Sequence, residues 1–217
     1  MDMEKSKNSF PVWQIARINL RHNFVWHLVL AIMLVLLTPV LFGTSDLDAQ
    51  AAAIPLEMFV SLLGIVLLTP VFFPEQNQEI EEIVAAKYVS NILVYTVRIV
   101  YSVICLIVVI VLFAAFMQLC RCSVSIKLIL GTIATAMFLG SLGMITAALS
   151  NNTAVSYMVP MVFFALNFSA GSQLGYFHLF SMMDGEYKQK IWLFVLSAIM
   201  IAFSVFVKWI LKKGNLP

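Results

Sequence analysis

The chain has 217 residues, of which 62% are hydrophobic and only 11% charged, with a mean hydropathy of +0.97. A soluble domain carries about a quarter of its residues as charges, so this composition excludes that class and predicts an all-α, polytopic membrane protein. The net charge of +2 implies no nucleic-acid partner, and three cysteines are too few for a disulfide framework.

From Phe10 to Asn23, a spacing of about 100° per residue gathers Gln14, Arg17 and Arg21 on one side and Val12, Trp13, Ala16 and Leu20 on the other. This pattern predicts an interfacial helix (10–23). Trp13, Arg17 and Arg21 anchor it to lipid headgroups. Residues 24–42 form the first span, since about 20 apolar residues rising 1.5 Å each cross the hydrocarbon. The basic lead, the apolar run and Ala49-Gln50-Ala51 imitate a signal peptide. The run exceeds the usual h-region and further spans follow, so no cleavage is expected.

The second span is expected over 51–73, with Pro55 in its first turn and Pro70 in its last. Glu57 lies close to hydrocarbon depth, where it either snorkels to the boundary or takes part in a substrate path. Residues 74–91, PEQNQEIEEIVAAKYVSN, are the longest polar break between spans. Proline in the first turn and Glu75, Glu79, Glu81 and Glu82 toward the positive end of the dipole predict a short helix. Ile80, Ile83, Val84 and Tyr88 form an apolar stripe beside an acidic flank. Carboxylates are repelled by anionic lipid, so the helix is expected to dock a partner protein.

The third span, 92–117, is longer than the bilayer is thick. Arg98 favours projection of its first turns toward the inner headgroups or the acidic loop. The fourth, 126–149, holds Gly131, Gly140 and Gly143, small residues that allow close helix approach. A tight turn leads into the fifth, 154–171. Residues 172–190, SQLGYFHLFSMMDGEYKQK, are too apolar for a loop and too polar for a span, and predict a short re-entrant or surface segment on the outer side. The sixth span covers 191–207. With both termini on one side, nine Lys and Arg fall on that side against four on the other. This bias assigns both termini to the cytoplasm.

Several chemistries are excluded. No phosphate-cradling loop is present, so nucleotide hydrolysis within this chain is not expected. Cys120-Arg-Cys122 has no neighbouring His or second Cys pair to complete a metal site. No Asp stands inside a span and the histidines lack zinc-ligand spacing. Catalytic and metal-binding residues are therefore expected to be absent. A proton- or sodium-coupled carrier is disfavoured because Glu57 and Arg98 stand near opposite ends with no ionisable group between them.

The order of parts resembles the type-2 permeases of ATP-binding-cassette exporters over nearly the whole chain. FPEQNQEIEEIVAAKYVS is similar to the acidic coupling segment of that family. LGSLGMITAALSNNTAVSYMVP is similar to its fourth span, inner turn and fifth span, and YFHLFSMMDGEY resembles the outer segment of small Gram-positive peptide and drug exporters. The resemblance implies a transport subunit rather than an enzyme, located in the bacterial plasma membrane. It would pair with a second copy or a sister permease and dock two ATPase subunits that carry ATP and magnesium, while binding no cofactor itself. The docking residues would be Glu75, Glu79, Ile80, Glu82, Ile83 and Val84. Spans two and five would line the path, with Phe59, Met158 and Phe163 as candidates. The apolar, Met-rich lining suits antimicrobial peptides, drugs or lipids. The alternative is a membrane sensor or assembly protein that recruits a cytoplasmic partner without transport.

Overall fold

The computed structural model describes residues 24–76 and 91–214. The predicted interfacial helix with Trp13, Arg17 and Arg21 lies outside the described residues, as do Glu79, Ile80, Glu82, Ile83 and Val84 of the polar break. The backbone of Glu75 lies in the last turn of a 3-10 helix, Thr69–Gln76.

All regular structure among the described residues is helical. The α-helices are α1 (Val25–Phe42), α2 (Ala49–Met58), α3 (Leu63–Leu68), α4 (Asn91–Leu119), α5 (Ile126–Ser150), α6 (Thr153–Ala170) and α7 (Lys188–Gly214). With α2 and α3 combined into one irregular span, Ala49–Phe73, six helices are long and apolar enough to cross a membrane. The chain is thus a multi-pass membrane protein in architecture. Successive spans alternate in direction, which places 43–48, 120–125 and 171–187 at one end, called here the cap end.

Local sequence explains the helix boundaries. Asp48 caps α2 by accepting from the Ala51 amide at 2.8 Å, and Ser125 caps α5 by accepting from Leu128 at 3.3 Å. Asn152 caps α6 from Ala154 at 2.9 Å. Each side-chain oxygen satisfies a first-turn amide that has no partner within its own helix. Asn151 takes the left-handed conformation (φ 48°) that ends α5, which a short amide side chain tolerates better than an apolar one.

The second span departs from its expected form. It starts at Ala49, so Pro55 falls in its second turn rather than its first. Proline supplies no amide hydrogen, and the helix gives way at Phe59 (φ −123°) to a 3-10 turn, Val60–Leu62, before α3 resumes. Pro70 lies within the 3-10 stretch Thr69–Gln76.

The second span and α5 form the centre of the bundle, with 67% and 72% of their apolar stretches buried, against 11% for α1 and 17% for α6. They touch backbone to backbone. A Cβ added to Gly64 would stand 1.7 Å from the carbonyl oxygen of Ala136, one on Gly140 2.6 Å from the carbonyl oxygen of Gly64, and one on Gly143 2.0 Å from Thr69 Oγ1. Gly140 and Gly143 thus serve the close approach that small residues permit, and Gly64 is their partner. The hydroxyls of Thr132 and Thr135 donate to carbonyls one turn back in α5, at 2.9 and 3.0 Å, so these two buried hydroxyls are satisfied by their own helix. The other spans pack around this pair and turn apolar faces outward, including Leu36, Leu112, Met158 and Phe203.

Candidate functional site

The most concentrated polar network among the described residues lies at the cap end, around Glu57. This residue is fully buried. Its Oε1 stands 2.5 Å from Lys190 Nζ and accepts from the Met182 amide at 3.1 Å, while Oε2 accepts from the Met183 amide at 3.1 Å. Lys190, also buried, further donates to Thr135 Oγ1 at 2.8 Å and to the Leu179 carbonyl. A primary ammonium has three hydrogens, and here each has an acceptor.

Glu57 is therefore neither a snorkelling boundary residue nor a lone carboxylate, and Lys190 is not a solvated loop charge. α7 begins at Lys188 rather than at 191, which places Lys190 in its first turn. A cation there faces the positive end of the helix dipole. The Glu57 carboxylate opposite offsets that penalty as well as the cost of burying the ammonium.

The network fixes the segment between α6 and α7. Residues Gly171–Phe177 form a 3-10 helix broken at Gly175 (φ 54°). The turns that follow bury Leu179, Phe180, Ser181 and Met182. Four spans hold this cap. The second span supplies Glu57. From α7 comes Lys190, and from α6 Asn167, whose Oδ1 accepts from the Leu179 amide at 2.8 Å while its Nδ2 donates to the Phe163 carbonyl at 3.1 Å. α5 supplies a notch at Gly131, where an added Cβ would be 2.3 Å from Met182 Sδ. Apolar packing completes the seat, with Phe180 at 5.5 Å from Phe164 and 4.7 Å from Phe168 between ring centroids. At the rim, His178 Nδ1 lies 3.8 Å from Asp184 Oδ2. Burial and the Lys190 charge pull the His178 pKa below its ordinary value, and the carboxylates of Asp184 and Glu186 oppose that shift only in part.

Both oxygens of Glu57 and all three hydrogens of the Lys190 ammonium have partners, so the pair holds backbone in place. Among the described residues no group of three or more His, Cys, Asp or Glu could hold a metal ion. Cys105, Cys120 and Cys122 are free thiols. The Cys122 thiol donates to the Thr44 carbonyl at 3.4 Å and helps join the 43–48 and 120–125 loops.

The residues proposed to line a path are dispersed. Phe59 is half-buried with its ring 5.9 Å from Phe42 of α1, and Phe163 is half-buried and edge-on to Phe138 of α5 at 5.5 Å. Met158 is exposed on α6. Arg98 is buried near the opposite end, where Nη1 donates to the Val71 carbonyl at 3.3 Å and links α4 to the 3-10 stretch ahead of the polar break. An apolar groove of about 360 Å³ separates α1 from α4, lined by Ile32, Leu36, Pro39, Val109, Leu112 and Phe116 among others.

The pairing of Glu57 with Lys190 is absent from the expectations drawn on the sequence. One signal pointed to it: a carboxylate at hydrocarbon depth requires a cation or a cluster of donors. Lys190 is a basic residue at the matching end of a neighbouring span. Compared with known families and proteins, the chain matches no family model, no curated protein and no solved structure.

Proposed function

We propose that this chain is the permease subunit of an ATP-binding-cassette exporter of the type-2 class, moving hydrophobic or amphipathic cargo across the bacterial plasma membrane. Two such chains, or one and a sister permease, work with two separate ATPase subunits that bind ATP and magnesium. Both termini and the polar break at 74–91 face the cytoplasm, and the break is the helix on which the ATPase docks. The observation that supports this reading best is the arrangement of the six-span bundle. It has a polar break after the second span at one end and a short, anchored apolar segment before the sixth at the other. Arg98, bonded to the Val71 carbonyl, couples α4 to the backbone entering the break, so a push on the docking helix reaches two spans at once.

The test is co-purification with a candidate ATP-binding-cassette ATPase co-expressed with this chain, comparing the intact protein with a variant carrying Ile80→Asp and Ile83→Asp. The intact chain is expected to retain the ATPase through detergent extraction and the variant to lose it. Equal retention would refute docking at the break. Failure of the intact chain to retain any ATPase would favour the sensor or assembly reading.

A further inference from the structure

The cap is anchored by residues of four different spans, and this carries a conclusion about which parts of the molecule move. We propose that residues 178–187 are a fixed lid that ties the second span, α5, α6 and α7 into one rigid unit at the cap end, and that the Glu57–Lys190 pair holds the lid shut. Three observations carry the argument. First, the anchors are distributed: Glu57 holds the Met182 and Met183 amides, Lys190 holds the Leu179 carbonyl, Asn167 holds the Leu179 amide, and Gly131 receives the Met182 side chain. Second, the buried side chains Leu179, Phe180 and Met182 would have to leave an apolar seat together if the segment lifted, because they are adjacent on a short turn. Third, the ion pair is shared by all the bonds to Glu57 and Lys190. Removing either charge leaves the other buried without its counter-ion and loosens several anchors at once.

The spans outside this unit are α1 and α4, and the apolar groove of about 360 Å³ lies between them. The 43–48 and 120–125 loops are bonded to each other at the same end, so opening at the cap end is assigned to movement of the chain against another copy, with the lid remaining seated. This inference concerns the chain alone and stands whether or not an ATPase docks on it.

The test is hydrogen–deuterium exchange by mass spectrometry on the full chain in nanodiscs of phosphatidylethanolamine and phosphatidylglycerol. In the unsubstituted protein, the bonded amides of Leu179, Met182 and Met183 are expected to exchange as slowly as the interior of α5 and far more slowly than the unbonded amides of the loop 43–48. In Lys190→Met and in Glu57→Gln these amides are expected to accelerate together by about a hundredfold, with α5 unchanged. Asn167→Ala, which removes one neutral bond to the cap, is expected to accelerate them by about tenfold. Loop-like exchange of these three amides in the unsubstituted chain would overturn the lid. Unchanged exchange in both charge variants would overturn the role of the pair. Should a charge variant fail to fold, the order of exchange within the unsubstituted chain decides between a seated and a free segment.

Discussion

Replacing Lys190 by methionine removes the ammonium while keeping most of the side-chain volume. Glu57 then retains only the Met182 and Met183 amides at 3.1 Å each, inside a site from which water is excluded. Removing one partner of a buried ion pair costs about 3–5 kcal/mol, because the remaining charge is left uncompensated. At about 2–4 °C of unfolding midpoint per kcal/mol for a chain of this size, Lys190→Met is expected to lower the midpoint by roughly 6–20 °C. Glu57→Leu is expected to cost more. It strands the ammonium and leaves the buried Met182 amide without an acceptor, worth about 1–3 kcal/mol, while the Met183 amide keeps the Phe180 carbonyl at 3.2 Å. The double variant Glu57→Gln with Lys190→Met leaves no buried charge, so it is expected to be more stable than Lys190→Met alone. The assay is intrinsic-fluorescence thermal unfolding, in one detergent, of the parent, of Lys190→Met, Glu57→Leu and Glu57→Gln, and of the double variant. A Lys190→Met midpoint equal to that of the parent, or a double variant that loses the sum of the single losses, would refute the reasoning.

Two further outcomes follow from the same geometry. Gly64→Ala places a methyl group 1.7 Å from the Ala136 carbonyl oxygen. Backbone cannot yield as a flexible side chain can, so the second span and α5 must separate at a cost of about 1–3 kcal/mol or more; a fall in monodisperse yield on size-exclusion chromatography checks this. His178 has a folded pKa below its ordinary value of 6.5, so the undocked cap binds the proton more readily than the docked one. Docking therefore carries no penalty well above pH 6.5 and weakens progressively below it. Exchange of amides 179–183 is expected to rise as pH falls through that range after correction for the intrinsic rate, and His178→Gln is expected to remove the dependence.

The positions of the spans were legible in the sequence because a helix in hydrocarbon needs only a run of apolar residues, a local property. α1, α5 and α6 each begin and end within a residue or so of the expected bounds. The interruption of the second span was not legible. Pro55 and Pro70 were visible, but the onset at Asp48 depends on a cap three residues before Ala51, and this shifts Pro55 into the helix interior. The mixed character of 172–190 was evident from composition. Its anchoring was not, since Glu57 and Met182 are 125 residues apart and no local pattern links them. The glycines of α5 were readable as a packing face, yet their partner Gly64 carries no distinguishing neighbours and emerges only when two backbones meet.

The most direct test of the exporter reading is native mass spectrometry of the complex released from membranes in which this chain is co-expressed with a candidate ATP-binding-cassette ATPase. The account predicts an assembly with two permease chains, or one and a sister chain, and two ATPase chains, which dissociates when Ile80→Asp and Ile83→Asp are introduced. Release of this chain with no ATPase bound would contradict the central claim.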